Sequence, residues 1–155
     1  MLAARSVYSS EHEMFRDAVR GFIKAEIAPH FERWEQAGMV DRSYWKAGGD
    51  AGLLCAQIPE AYGGAGGDFK LNCIVVEEIA YAGYAGPMTD FSVHSDVCAG
   101  YILNAGTEAQ KQKWLPRMVS GETVCAIAMT EPGTGSDLQG IKTRAVRDGD
   151  VYRSN

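Results

Sequence analysis

The residues best able to do chemistry fall in one stretch, Thr130-Glu131-Pro132-Gly133-Thr134-Gly135-Ser136-Asp137, where hydroxyls and carboxylates are interleaved with a proline and glycines. Pro132 fixes its own φ and drives Glu131 to an extended conformation, while Gly133 and Gly135 permit positive φ and close approach of a ligand to the backbone. Backbone N–H groups and the hydroxyls of Thr130, Thr134 and Ser136 can then face outward together. Such a donor-rich lip suits an electron-rich heterocycle or a phosphate. Asp137 reads as an Asx residue that bonds the turn's own N–H groups.

Familiar motifs do not account for this stretch. A P-loop needs lysine directly after its last glycine, and Ile141 separates Gly140 from Lys142; a dinucleotide fingerprint needs a third glycine or alanine where Leu138 stands. Ser136 is followed by Asp137 and Leu138, so it is not in a G-x-S-x-G elbow. His12, His30 and His94 lack metal-ligand spacing, and no metal site is expected. By local chemistry alone the stretch is an ordinary strand-to-turn junction.

The elements that position it follow from pattern. The apolar run Val124 to Met129, bounded by Gly121 and Pro132, predicts a buried strand with the lip at its mouth. Lys142 to Arg147 and Val151 to Ser154 flank Asp148-Gly149, a hairpin signal. Upstream, Ser10-Glu11-His12-Glu13 reads as a capping box for a first helix carrying Phe15, Val19, Phe22 and Ile23, interrupted near Pro29. Phe31 and Trp34 continue to Gly38. Asp41 is expected to cap a third helix with Tyr44 and Trp45, and Asp68 a fourth whose apolar positions run round much of its circumference. In that fourth helix Glu77 and Glu78 read as a solvated or domain-facing edge. A fifth helix is expected after Pro87, and Thr107 with Gln110 makes a capping box for a sixth that ends by Gly121. The expected fold is mainly α: a six-helix bundle over 1–121, then the first strands of a β unit over 122–155.

Composition sets the outer limits. At 155 residues, 46% hydrophobic and 23% charged, the chain can bury one core, and a net charge of −5 argues against a general nucleic-acid role. Cys55, Cys73, Cys98 and Cys125 are widely spaced and read as buried thiols of a reducing compartment. With no signal-peptide pattern and no apolar run of spanning length, a soluble cytoplasmic protein is expected.

The string Ala126-Ile-Ala-Met-Thr-Glu-Pro-Gly-Thr-Gly-Ser-Asp-Leu-Gln-Gly-Ile-Lys-Thr143 resembles the flavin-binding signature of the acyl-CoA dehydrogenase family, and is most similar to its long-chain type. Ile58 to Gly67 resembles the family's glycine loop between two helices; Glu77 to Tyr81 and Ile102 to Lys113 resemble segments of its helical domain. The resemblance covers nearly the whole chain in order. It implies FAD as cofactor, α,β-dehydrogenation of an acyl-CoA thioester, electron-transfer flavoprotein as electron acceptor, and a homo-oligomer, a tetramer in full-length form. It implies that Ile127, Ala128, Met129, Thr130, Gly135 and Ser136 contact the flavin, and that Ser136, Thr89 and Val93 meet the substrate. Phe91 and His94 on the same helix are also placed to reach a substrate chain, although core packing is the plainer role for Phe91 and Val93.

In the family a β-barrel is completed and a four-helix C-terminal domain follows, so a truncated form is expected. The carboxylate that removes the α-proton comes from that later domain; Glu131 is not that base, and no catalytic residue is expected within this chain. Two rivals remain open. One is an acyl-CoA oxidase-like flavoenzyme, and the other a non-catalytic helical fragment that binds a partner or dimerises through apolar surface.

Overall fold

The computed structural model describes residues 7–154. Its α segments are α1 (Ser10–Phe22), α2 (Phe31–Ala37), α3 (Arg42–Asp50), α4 (Phe69–Tyr81), α5 (Ala85–Ser92), α6 (Ala99–Ala105) and α7 (Glu108–Val119). A π-helical segment, Ile23–Ile27, continues α1, and another, Val93–Cys98, joins α5 to α6 without a break. Among the described residues the α segments therefore make six continuous helices, as the pattern predicts. A two-stranded antiparallel hairpin of β1 (Ala145–Asp148) and β2 (Val151–Ser154) closes the order.

Local chemistry explains three of the six helix starts among the described residues. Thr107 and Gln110 form the expected capping box of α7, and the Asp68 carboxylate accepts the Lys70 N–H at 3.0 Å to cap α4. Two expectations are corrected. The first helix is capped by Ser9, not Ser10: the Ser9 hydroxyl accepts the His12 N–H, and His12 Nδ1 accepts the Ser9 N–H at 3.1 Å. Imidazole here does the work a Glu would do in the commoner box. Asp41 stands at the N-cap of α3 but makes no capping bond, because its carboxylate is engaged by Arg33.

Apolar burial makes two clusters. The first gathers Val19, Ile27, Trp34, Tyr44, Leu54, Ile74, Ile79 and Phe91 from α1, α2, α3, α4 and α5 and the chain between them. Its centre is aromatic, with Phe91 stacked on Tyr44 at 4.5 Å between ring centroids and 19° between planes. The second gathers Cys55, Ile58, Cys98, Ala99, Leu115 and Met118 around α6 and α7.

Glu78 is not a solvated edge. It is only 7% exposed and accepts from Arg16 Nη1 at 2.6 Å and Arg20 Nε at 2.7 Å, joining α1 to α4. Glu77 accepts from Arg16 Nη1 at 3.2 Å and from the Tyr8 hydroxyl at 3.1 Å in the same network. Burial pushes the Glu78 carboxyl up, but the hydrogen bonds from Arg20 and Arg16 together outweigh it and hold the group below its ordinary value. The helical pattern of α4 was apolar nearly all round because this helix is covered on most sides, and its carboxylates are covered too.

The hairpin register pairs Asp148 with Val151, so the two-residue loop is Gly149-Asp150, one residue later than the dipeptide signal suggests. Gly149 has φ +62° at the first loop position, where that conformation is easy only for glycine. Every residue of both strands is exposed.

Candidate functional site

The site segment begins where α7 ends. Gly121 takes φ +71°, and a Cβ there would lie 2.1 Å from the Trp45 carbonyl oxygen, so the chain turns tightly beneath α3. The next residues are held firmly: the Thr123 N–H donates to the Arg117 carbonyl at 2.9 Å, and the Arg42 guanidinium donates to the Glu122 carbonyl. Val124 packs on the first cluster, and Cys125 and Ile127 pack on the second.

From Val124 to Thr130 the chain forms neither helix nor strand, which corrects the expected buried strand. Cys125 and Ile127 face the α6 and α7 core, while Ala126, Ala128, Met129 and Thr130 are exposed. Among the described residues no group accepts the backbone N–H of Ala126, Ile127, Ala128, Met129 or Thr130. The run offers a line of open donors.

The turn that follows closes on itself. Glu131 and Thr134 exchange two backbone hydrogen bonds, each 3.0 Å. The Glu131 carboxylate then reaches across the loop, accepting the Lys142 N–H at 2.9 Å and the Thr143 N–H at 2.8 Å. Hydrogen bonding from the Thr143 side chain, and then from the Lys142 and Thr143 backbone, holds the Glu131 carboxyl below the ordinary glutamate range. A carboxylate so engaged is a poor proton acceptor. Asp137 accepts the Gln139 N–H at 3.2 Å, the role expected of an Asx residue.

The predicted residues separate into groups. Thr130, Gly135 and Ser136 are exposed around the closed pair, with Thr130 preceding Glu131 and Gly135 following Thr134. Thr134 is 6% exposed, and its hydroxyl oxygen would lie 3.1 Å from a Cβ at Gly140, so it faces inward and not onto the lip. Val93 packs on the same cluster as Ile127. Thr89 belongs to neither cluster; it is exposed, and its hydroxyl donates to the Ala85 carbonyl at 2.9 Å. Phe91 is in the core at 1% exposure.

One feature had no sequence signal, and another takes a role other than the substrate contact expected of it. One is an apolar groove of about 440 Å³ between α6, α7 and the site segment, lined by Tyr101, Ile102, Ala105, Trp114, Thr123 and Cys125. The other is His94, fully buried, whose Nε2 lies 3.1 Å from the Met118 carbonyl oxygen and whose Nδ1 accepts the Cys125 N–H at 3.2 Å. Burial lowers its pKa, and the nearby Arg42 charge acts in the same direction. The spacing of His94 from Phe91 and Cys98 marks a core-facing position, but nothing in the sequence names its partners.

The residues present fit a flavin: open backbone donors lead into exposed Thr130 and Ser136, with apolar surface alongside. Among the described residues no helix is long and apolar enough to cross a membrane, and no group of His, Cys, Asp and Glu side chains is placed to hold a metal.

Residues 9–122 match the acyl-CoA dehydrogenase N-terminal domain. The mouse (Mus musculus) mitochondrial long-chain specific acyl-CoA dehydrogenase is 48% identical over 151 residues, which are 97% of this chain and 35% of that protein. The crystal structure of an acyl-CoA dehydrogenase from Geobacillus kaustophilus superposes with a TM-score of 0.91 at 45% identity, covering 99% of this chain and 40% of that one. A Bacillus anthracis acyl-CoA dehydrogenase complexed with FAD superposes with a TM-score of 0.88 at 34% identity, covering 99% of this chain and 27% of that one. The chain thus spans about a third of the length of the curated relatives it matches. On sequence and fold together, the chain belongs to the acyl-CoA dehydrogenase family.

Proposed function

We propose that the chain forms the flavin lip and one wall of the acyl cavity of an FAD-dependent enzyme that introduces an α,β double bond into acyl-CoA thioesters. The observation that carries this reading is the run Ala126 to Thr130, whose N–H groups have no acceptor among the described residues and which ends at a turn locked by its own bonds. Ile127, Ala128, Met129 and Thr130 would face the ring through backbone and hydroxyl donors, with Gly135 allowing close approach. Ser136 would stand between cofactor and thioester. Val93 and Thr89 would meet the acyl chain, and the apolar groove lined by Tyr101 and Trp114 offers further surface of the same character.

FAD, when bound, supplies the acceptor for the hydride that leaves the substrate β-carbon. Fixed donors at Thr130 and Ser136 contribute by orienting the reactants and by stabilising charge that develops during transfer. Glu131 takes no proton, since its carboxylate is already held by the Lys142 and Thr143 amides; the α-proton goes to a base outside these residues. We read the change of character at Gly121 as the boundary between an all-α unit, 1–121, and the start of a β unit, 122–155. Electron-transfer flavoprotein is the proposed acceptor, and a tetramer the proposed assembly. Described cysteines that are all free thiols support a reducing compartment such as the cytoplasm.

Titration of the chain with FAD, followed by quenching of flavin fluorescence, tests the reading. Saturable binding that Thr130→Ala weakens supports it. No binding removes the flavin assignment and favours a scaffold role, and anaerobic bleaching of bound FAD by a long-chain acyl-CoA contradicts the statement that the base lies elsewhere.

A further inference from the structure

His94 is a fully buried ionisable side chain of the helical core that bonds to the site segment. It sits in the π-helical join between α5 and α6, its ring centroid 5.3 Å from that of Trp45 with the planes at 66°, and both of its nitrogens are committed. The Cys125 N–H must donate to Nδ1, which leaves the proton on Nε2 and makes that nitrogen the donor to the Met118 carbonyl. The imidazole is therefore neutral, in a fixed tautomer, and spans from the last turn of α7 to the site segment.

Cys125 is also the last residue so held. The bonds that anchor the chain after α7 stop at its amide, and the next five N–H groups have no acceptor among the described residues. The position of that open run follows from where Cys125 is fixed and from the self-closed turn at Glu131.

We propose that His94 is a positioning residue for the flavin lip: by accepting the Cys125 N–H it sets where Ala126 to Thr130 stand against the α6 and α7 side of the core. The proposal rests on the reading of that run as a flavin lip. The other titratable groups near the ring are Arg42 on α3, which disfavours charge on it, and the Cys125 thiol, which burial keeps protonated.

Two variants divide the ring's bonds between them. His94→Asn keeps an acceptor near the position of Nδ1 and gives up the reach to Met118; His94→Gln keeps a donor near the position of Nε2 and gives up the acceptor for Cys125. A residue that merely fills the core would respond about equally to both. With the whole 15N-labelled chain, amide hydrogen exchange at Cys125, FAD affinity and helix melting are read on wild type and both variants. The expected result is faster Cys125 exchange and FAD affinity weakened about tenfold in His94→Gln, as leaving a buried N–H unpaired predicts, with His94→Asn near wild type in both. Equal effects of the two substitutions, or unchanged Cys125 exchange in His94→Gln, overturn the proposal. Imidazole 15N shifts of the wild type give a test independent of how the variants fold, and a proton on Nδ1 in the folded chain overturns it as well. If wild type binds no FAD, the flavin reading fails, while the exchange contrast and the tautomer still decide whether His94 holds Cys125.

Discussion

Gly48 lies in α3 against the ring of Phe91, and a Cβ placed there would be 2.5 Å from Phe91 Cζ. Replacing Gly48 with alanine sets two effects against each other. Helix propensity favours alanine by about 1 kcal/mol in a helix interior, and by less near a helix end such as this. Forcing a methyl into a filled core costs about 1–3 kcal/mol, unless the neighbour can withdraw. Phe91 cannot: it stacks on Tyr44 at 4.5 Å and has Phe22 at 6.0 Å and Trp45 at 5.7 Å between centroids. The clash should win, with a net loss of about 1–2 kcal/mol and a urea midpoint lower by roughly 0.5–1 M for a slope near 2 kcal/mol/M. Gly21 in α1 is the control, since a Cβ there meets nothing within 4 Å, and Gly21→Ala should stabilise by about 0.5–1 kcal/mol. In a Phe91→Leu background the obstacle is shortened, so the sign for Gly48→Ala should reverse, giving a coupling energy of about 1–3 kcal/mol. Urea unfolding followed by far-ultraviolet circular dichroism reads all of these. A Gly48→Ala chain as stable as wild type, beside a stabilised Gly21→Ala chain, would refute the packing described for α3 and α5.

His94 has a folded-state pKa below its ordinary value, so between the two values the unfolded chain binds a proton that the folded chain does not. Stability from this group is complete above the ordinary value, near 6.5, and is lost as pH falls toward the folded one; denaturation at pH 7.5 and 5.5 should show a steeper loss in wild type than in His94→Leu. Glu131→Ala should speed amide exchange at Lys142 and Thr143 while leaving helix protection unchanged, and equal exchange would show that the carboxylate does not close that loop. Glu78→Gln removes the shortest of Arg16's ion pairs and leaves Glu77 and Glu13 as its remaining counter-charges. Because Arg20 is about half exposed and admits water, the expected cost is about 1–2 kcal/mol, well under the loss for a fully buried pair, and a neutral result in urea unfolding would count against the network.

The helices were legible because periodicity, caps and breakers agree along α1, α4 and α7. Ser9 has no sequence signal because the His12 imidazole stands where the usual box has a carboxylate or amide, and the cap expected of Asp41 fails because its competitor, Arg33, is supplied by another helix. The apolar run at Val124 to Met129 looked like a strand buried on both faces. Hydropathy records that a segment is apolar, but not whether one face or two are covered, and here Val124, Cys125 and Ile127 pack on the core while Ala126, Ala128 and Met129 stay exposed. The chemistry-bearing turn was legible from its residue types. Its closure was not, because Glu131 meets amides eleven and twelve residues away, and Thr134 was read as outward when its side chain folds under Gly140. His94 carried no signal beyond its core spacing. Both of its partners are backbone atoms, which any residue at those positions would offer.

A loop whose ends are stitched by one of its own side chains has already lost most of its freedom before any guest arrives. Glu131 does this for residues 131–143, so capture of a ligand there need not wait for the loop to order and would forfeit little further entropy. Encounter should accordingly follow a single concentration-dependent phase, with no slow unimolecular step behind it.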